Sequence, residues 1–140
     1  MRLSIRNQLP GIVVDVAKGK VMATVKVRLD GGQEVTAAIT AESAEDLKLT
    51  EDTAVLVLVK STEVAIAASA VPRISIRNQI PGMVAGMEHG AVMTTVKVAI
   101  AGGDTLTATI TRDGAEGLEL AEGDQVTALV KSTEASVALP

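Results

Sequence analysis

From Val25 onward, residues 21–29 alternate apolar and polar side chains, with Val25, Val27 and Leu29 on one parity and Lys26 and Arg28 on the other. A period of two over so short a stretch predicts a half-buried β-strand. Asp30-Gly31-Gly32-Gln33 follows and predicts a hairpin turn, because glycine accepts the positive φ that tight hairpins need. Residues 34–39 then form the return strand. An earlier strand is predicted over 12–17, ended by the turn Lys18-Gly19-Lys20, and Pro10-Gly11 before it reads as a turn. Residues 54–60 are a nearly unbroken apolar run of β type, and 63–67 a last short strand. One segment breaks the period. Thr40-Ala41-Glu42-Ser43-Ala44-Glu45-Asp46-Leu47 sets helix formers behind a threonine that can cap them, which predicts a short helix before the fourth strand.

The whole pattern then recurs. Ser4-Ile5-Arg6-Asn7-Gln8-Leu9-Pro10-Gly11 returns 71 positions later as Ser75-Ile76-Arg77-Asn78-Gln79-Ile80-Pro81-Gly82, and Lys60-Ser61-Thr62-Glu63 as Lys131-Ser132-Thr133-Glu134. The same offset aligns Gly31-Gly32 with Gly102-Gly103 and Ile39-Thr40 with Ile110-Thr111 without a gap. The chain is therefore an internal duplication. Two domains are expected, 3–67 and 74–138, joined by the small-residue, proline-containing linker 68–73. In the second copy Gly114 and Gly117 weaken the predicted helix. Five short strands with one helical turn before the fourth predict an all-β fold of two tandem OB-like five-stranded barrels, each with one short helix.

Composition narrows what such barrels can do. The 140 residues include no Phe, Tyr, Trp or Cys. A core of Val, Ile, Leu, Met and Ala alone gives a repeat of this size little burial of its own, so burial between subunits is expected in addition. Base-stacking platforms for single-stranded nucleic acid are absent. The net charge of −4 opposes a phosphate-tracking surface. Disulfides, thiolate metal ligands and cysteine nucleophiles are excluded. No apolar leader opens the sequence and no apolar run is long enough to span a membrane, so a cytoplasmic protein with neither nucleic-acid nor membrane partner is expected.

An acidic protein still binds an anion where local donors converge. A tetrahedral oxyanion offers only acceptors, so its site needs hydroxyls, backbone N–H groups, Arg and Lys. Each repeat supplies them in three places. Ser4 and Arg6 share one parity of an extended segment, with Asn7 adding an amide. Thr40 and Ser43 open the short helix, where N–H groups and the dipole add to them, and Lys60 and Ser61 follow the apolar strand. The second copy has Ser75, Arg77 and Asn78, then Thr111, then Lys131 and Ser132, with Gly114 in place of Ser43. Taken as residues alone, these sets also fit solvated charges, strand-end hydroxyls bonded to their own backbone and plain helix caps. Anion binding is then one reading among several.

The octets at 4–11 and 75–82, the run Gly-Gly-Gln-Glu-Val-Thr-Ala-Ala-Ile-Thr at 31–40 and the quartet at 60–63 resemble the motifs of the Mop (molybdenum-pterin-binding protein, or molbindin) family, twice over and across nearly the whole chain. The resemblance implies an OB-like (Mop/TOBE-type) barrel per domain, a homotrimer, and molybdate or tungstate bound between domains of neighbouring subunits for storage or homeostasis. It implies as oxyanion ligands Ser4, Arg6, Thr40, Ser43, Lys60, Ser61, Ser75, Arg77, Thr111, Lys131 and Ser132. Asn7 and Asn78 match the motif either as ligands or as strand-holding residues. Gly114 departs from the family pattern, which weakens sites built on that loop or leaves them to backbone N–H groups. Relatives carry fused DNA-binding or ATPase domains, but this chain has no Walker motif and no length for a DNA-binding domain.

Two other classes compete. No Ser/His/Asp set or paired carboxylates point to an enzyme, and the single histidine, His89, falls in a turn where the first copy has Lys18. A regulatory or scaffold module binding another protein without an anion is the alternative, though the missing Trp and Tyr deprive it of the usual interface anchors.

Overall fold

A computed structural model describes residues 2–140. In chain order these form β1 (Asn7–Lys18), β2 (Met22–Leu29), β3 (Glu34–Thr40), α1 (Ala41–Asp46), β4 (Ala54–Val59), a 3-10 turn (Ser61–Glu63) and β5 (Ala65–Ala67). The second repeat gives β6 (Asn78–His89), β7 (Met93–Ile100), β8 (Thr105–Thr111), α2 (Arg112–Gly117), β9 (Gln125–Val130), a 3-10 turn (Ser132–Glu134) and β10 (Ser136–Ala138). Residues 68–73 between them carry no helix or strand. Among the described residues no helix is long and apolar enough to cross a membrane.

All pairing is antiparallel, in two curled five-stranded sheets with orders β10-β4-β1-β2-β3 and β5-β9-β6-β7-β8. The last strand of each repeat thus belongs to the sheet of the other. Ser136, Val137 and Ala138 pair with Leu58, Val57 and Leu56, while Ala65, Ile66 and Ala67 pair with Leu129, Ala128 and Thr127. Curling brings the edge strands β10 and β3 together, as it does β5 and β8. The repeat along the chain and the sheet in space are different units.

This exchange answers the shortage of core. Buried Val, Leu, Ile and Ala from both repeats form a single contiguous cluster, including Val13, Val25, Val27 and Val57 from the first and Val84, Val96, Val98 and Leu106 from the second. Much of the extra burial expected between subunits is therefore found within one chain.

Two buried asparagines register the repeats against each other. Asn7 donates through Nδ2 to the Thr107 carbonyl (2.8 Å) and accepts from the Thr107 N–H (2.7 Å). Asn78 makes the same pair of bonds to Thr36, both at 2.8 Å. The contacts are reciprocal, as across a two-fold axis. The hairpin tips meet as well. Gln33 Nε2 donates to the Ala101 carbonyl at 2.9 Å, and a Cβ on Gly31 would lie only 2.0 Å from that oxygen.

One predicted turn is not a turn. Pro10-Gly11 lies inside β1, with Pro10 opposite Leu56 of β4. The β1–β2 ladder starts only at Gly11, so proline stands where one of its edges carries no ladder. Gly11 is required for space: a Cβ there would lie 2.5 Å from Val27 Cγ1 and 2.7 Å from the Arg28 carbonyl oxygen, and Gly82 is equally crowded. By contrast Gly32, with φ +90°, serves the hairpin as expected. α2 forms despite its glycines because Thr111 caps it, Ala115 is buried beneath it, and Arg112 pairs with Glu116 at 2.9 Å.

Asn7→Ala is expected to leave the Thr107 N–H and carbonyl unpaired and buried, at about 1–3 kcal/mol for each group. Denaturant unfolding of the variant should show a correspondingly lower midpoint, and an unchanged midpoint would refute the clamp.

Candidate functional site

The strand exchange decides where the candidate donors lie. Each 3-10 turn immediately precedes an exchanged strand, so it is carried across onto the other repeat. Ser61–Glu63 comes to lie against β8 and Ser132–Glu134 against β3. Two grooves result, related by the same approximate two-fold.

The first, about 430 Å³, is lined by Thr62, Glu63 and Ala65 from the first repeat and by Ile76, Met93, Thr109, Thr111, Leu129 and Lys131 from the second. A cleft of about 260 Å³ shares its Ile76 and Lys131 and adds Ser75, Ser132 and Thr133. The second groove, about 220 Å³, has the corresponding Ile5, Leu58 and Lys60 set against Thr133, Glu134 and Ser136, with Glu63 also on its wall. Lysines and turn hydroxyls in each groove thus come from different repeats.

Of the sequence candidates, Lys131, Thr111, Ser75 and Ser132 fall in one connected region. Ser61 borders it, accepting a hydrogen bond from Thr109 Oγ1 at 3.0 Å. Lys60, although next to Ser61 in sequence, lines the other groove. Arg6 folds back on its own segment, donating to the carbonyls of Leu3 and Ser4, and Arg77 is exposed. Thr40, Ser43, Ser4 and Arg6 do not line the groove that holds Lys60. Asn7 and Asn78, which match the motif either as ligands or as strand holders, are each buried and bonded through both amide atoms to the opposite repeat.

The helix starts are capped rather than open. Thr40 Oγ1 accepts from the Ser43 N–H at 3.1 Å and donates to Ser43 Oγ at 2.7 Å. Thr111 Oγ1 accepts from the Gly114 N–H at 3.0 Å and, with no serine opposite, keeps its proton. With glycine at 114 the cap's free hydroxyl proton belongs to Thr111, where in the first repeat it belongs to Ser43. Among the described residues the one ion pair is Arg112–Glu116. Lys60, Lys131 and Arg77 hence stand clear of carboxylate partners.

Sequence reasoning missed Thr109, the isoleucines Ile5 and Ile76, and the glutamates on the groove walls. Glu63 and Glu134 lay within a repeated quartet whose Lys and Ser alone drew attention. Thr109 could have been found because it breaks the repeat: its counterpart is Ala38.

The molecule so described is a tandem pair of small curled β-sheets that share their last strands and hold hydroxyl and lysine donors in grooves between repeats. A profile of the TOBE domain matches residues 3–66 and again 74–137, and the chain belongs to the TOBE-domain family. It is similar to the molybdenum-pterin-binding protein MopB of Rhodobacter capsulatus, 44% identical over 141 aligned residues that take in all of this chain and 52% of that protein. It is also similar to molybdenum-pterin-binding protein 3 of Clostridium pasteurianum, 47% identical over 68 residues, covering 49% of this chain and all of that protein. The chain spans about half the length of MopB and comparable relatives. A solved structure of the cytoplasmic molybdate-binding protein ModG, with molybdate bound, superposes with a TM-score of 0.97 at 33% identity over 100% of both chains.

Because the caps serve the helices, Thr111→Ala is expected to cost about 1 kcal/mol of stability with no anion present. Chemical denaturation of anion-free protein checks this, and no loss would assign Thr111 to ligand contact alone.

Proposed function

We propose that this chain binds molybdate or tungstate reversibly, for storage or homeostasis in the cytoplasm, and performs no chemistry on it. One observation carries the reading: full-length agreement with a structure that holds molybdate. The donors fit the ligand. Lys131, Thr111, Ser75 and Ser132 offer protons and positive charge to a species that only accepts. Phosphate carrying a proton at neutral pH sets a donor against donors and leaves one unpaired, at about 1–3 kcal/mol. Sulfate has the right charge and is distinguished by size alone.

The cage is completed between subunits of a homotrimer. Within one chain each groove has a lysine but not the arginine or the second cap that the motif supplies. The apolar residues flanking the caps are uncovered: Val21 is 70% exposed beside Thr40 and Val92 71% beside Thr111, with Met22 and Met93 next to them. A neighbouring copy seated there buries apolar surface and brings its own donors to the groove.

Calorimetric titration of anion-stripped protein with molybdate tests this, with sulfate and phosphate as controls. Saturable heat with molybdate and none with phosphate is expected, and Lys131→Gln should weaken binding. A native-state ligand at 100 times its Kd adds about 2.7 kcal/mol of stability. No heat and no rise in melting temperature at millimolar molybdate would refute the reading. Light scattering should give three times the 14.3 kDa chain mass, and a monomer would refute the shared site.

A further inference from the structure

The two grooves are not equal, and the difference lies in one hydroxyl pair. In β8, Thr109 is half-buried on the wall of the larger groove and donates to Ser61 Oγ at 3.0 Å. Two-fold symmetry sets Ser132 against Ala38 of β3, which has no hydroxyl to offer. A serine hydroxyl has a single proton and two lone pairs. Where Thr109 fills one lone pair, the Ser61 proton is turned away from Thr109 and its oxygen is held in place. Ser132, which lines the cleft with Ser75 and Lys131, has no such guide and must be ordered by the ligand itself, which costs affinity.

A second departure from the repeat changes which residue carries the free hydroxyl proton at the cap: Ser43 in the first repeat, Thr111 in the second. The Thr40 proton is spent on Ser43, whereas Gly114 leaves the Thr111 proton free, and Thr111 lines the groove that Thr109 lines.

We infer that Thr109 is a positioning residue: it pre-orients the Ser61 hydroxyl for an oxyanion oxygen, so that sites using Ser61 are tighter than sites using Ser132. The inference rests on the oxyanion reading above. Thr109 itself needs no contact with the ligand, since it acts through Ser61.

The experiment is a molybdate titration of the full chain by calorimetry, with Thr109→Val, Thr109→Ser and Ala38→Thr beside the wild type. The wild type should show two classes of site differing about three- to tenfold, the effect of one net hydrogen bond. Thr109→Val keeps the shape and removes the hydroxyl, so the tighter class should fall to the weaker while the anion-free melting temperature holds. Thr109→Ser should restore it, which a purely packing role would not. A single class in the wild type, a Thr109→Val isotherm like the wild type's, or a Thr109→Ser variant that stays weak each overturns the inference. Should Thr109→Val fail to fold, Ala38→Thr decides: tightening of the weaker class supports the assignment and an unchanged isotherm overturns it. A wild type that takes up no molybdate overturns the oxyanion reading itself.

Discussion

Three-residue strands changing sheets are what the rest of this molecule depends on. β5 closes the second sheet and β10 the first, so neither repeat completes its own. With no aromatic side chain, a single repeat has only aliphatic residues such as Val, Leu and Ile to withdraw from water, and a small domain buries a small fraction of its surface. Exchange merges two inadequate cores into one. Asn7 and Asn78 then specify the arrangement. A buried amide is costly unless both its donor and acceptor are paired, and here the partners are the N–H and carbonyl of one residue in the opposite repeat. Shifting the repeats against each other by one residue would strand both asparagines, so the clamps penalise every register but one.

The chemistry follows from the same exchange. Because the turns at Ser61–Glu63 and Ser132–Glu134 lead into the exchanged strands, each crosses to the other repeat and presents its residues to a lysine it is not attached to. Lys60 lines one groove, while Ser61, bonded to it in the chain, accepts from Thr109 on the wall of the other. A site of this kind exists only while the two repeats are docked, which ties donor geometry to the stability of the whole chain.

Much of the architecture was legible in the sequence. Period-two runs marked β2, β3 and β7, the glycine pairs marked the hairpins, and Thr40 marked a helix start, because each is decided by neighbours a few residues away. Which sheet a strand joins is decided elsewhere. Residues 63–67 read as a short strand, but its pairing with Leu129, Ala128 and Thr127 rests on contacts some sixty residues distant, and no local pattern encodes them. Pro10-Gly11 misleads for a related reason. As a dipeptide it signals a turn, while in place the glycine is needed so that β2 can approach β1. The candidate donors are legible as residue types, but their grouping is hidden until the exchange is known, and the cross-repeat bonds of the two asparagines show only once their partners are in place.

The duplication also makes its own exceptions informative. Both repeats are held to one backbone geometry, so a position where they differ is a substitution in an otherwise constant frame. Thr109 for Ala38 and Gly114 for Ser43 are two such positions: the first gives Ser61 a hydrogen-bond donor that Ser132 lacks, and the second moves the cap's free hydroxyl proton from a serine to Thr111. The groove that holds Lys131 also has Glu63 on its wall, in a chain of net charge −4. Long-range attraction therefore contributes little, and an anion must be held by short contacts. Short contacts are also the selective ones, since a hydroxyl proton distinguishes an oxygen that only accepts from one that carries its own proton, whereas a diffuse positive field attracts both.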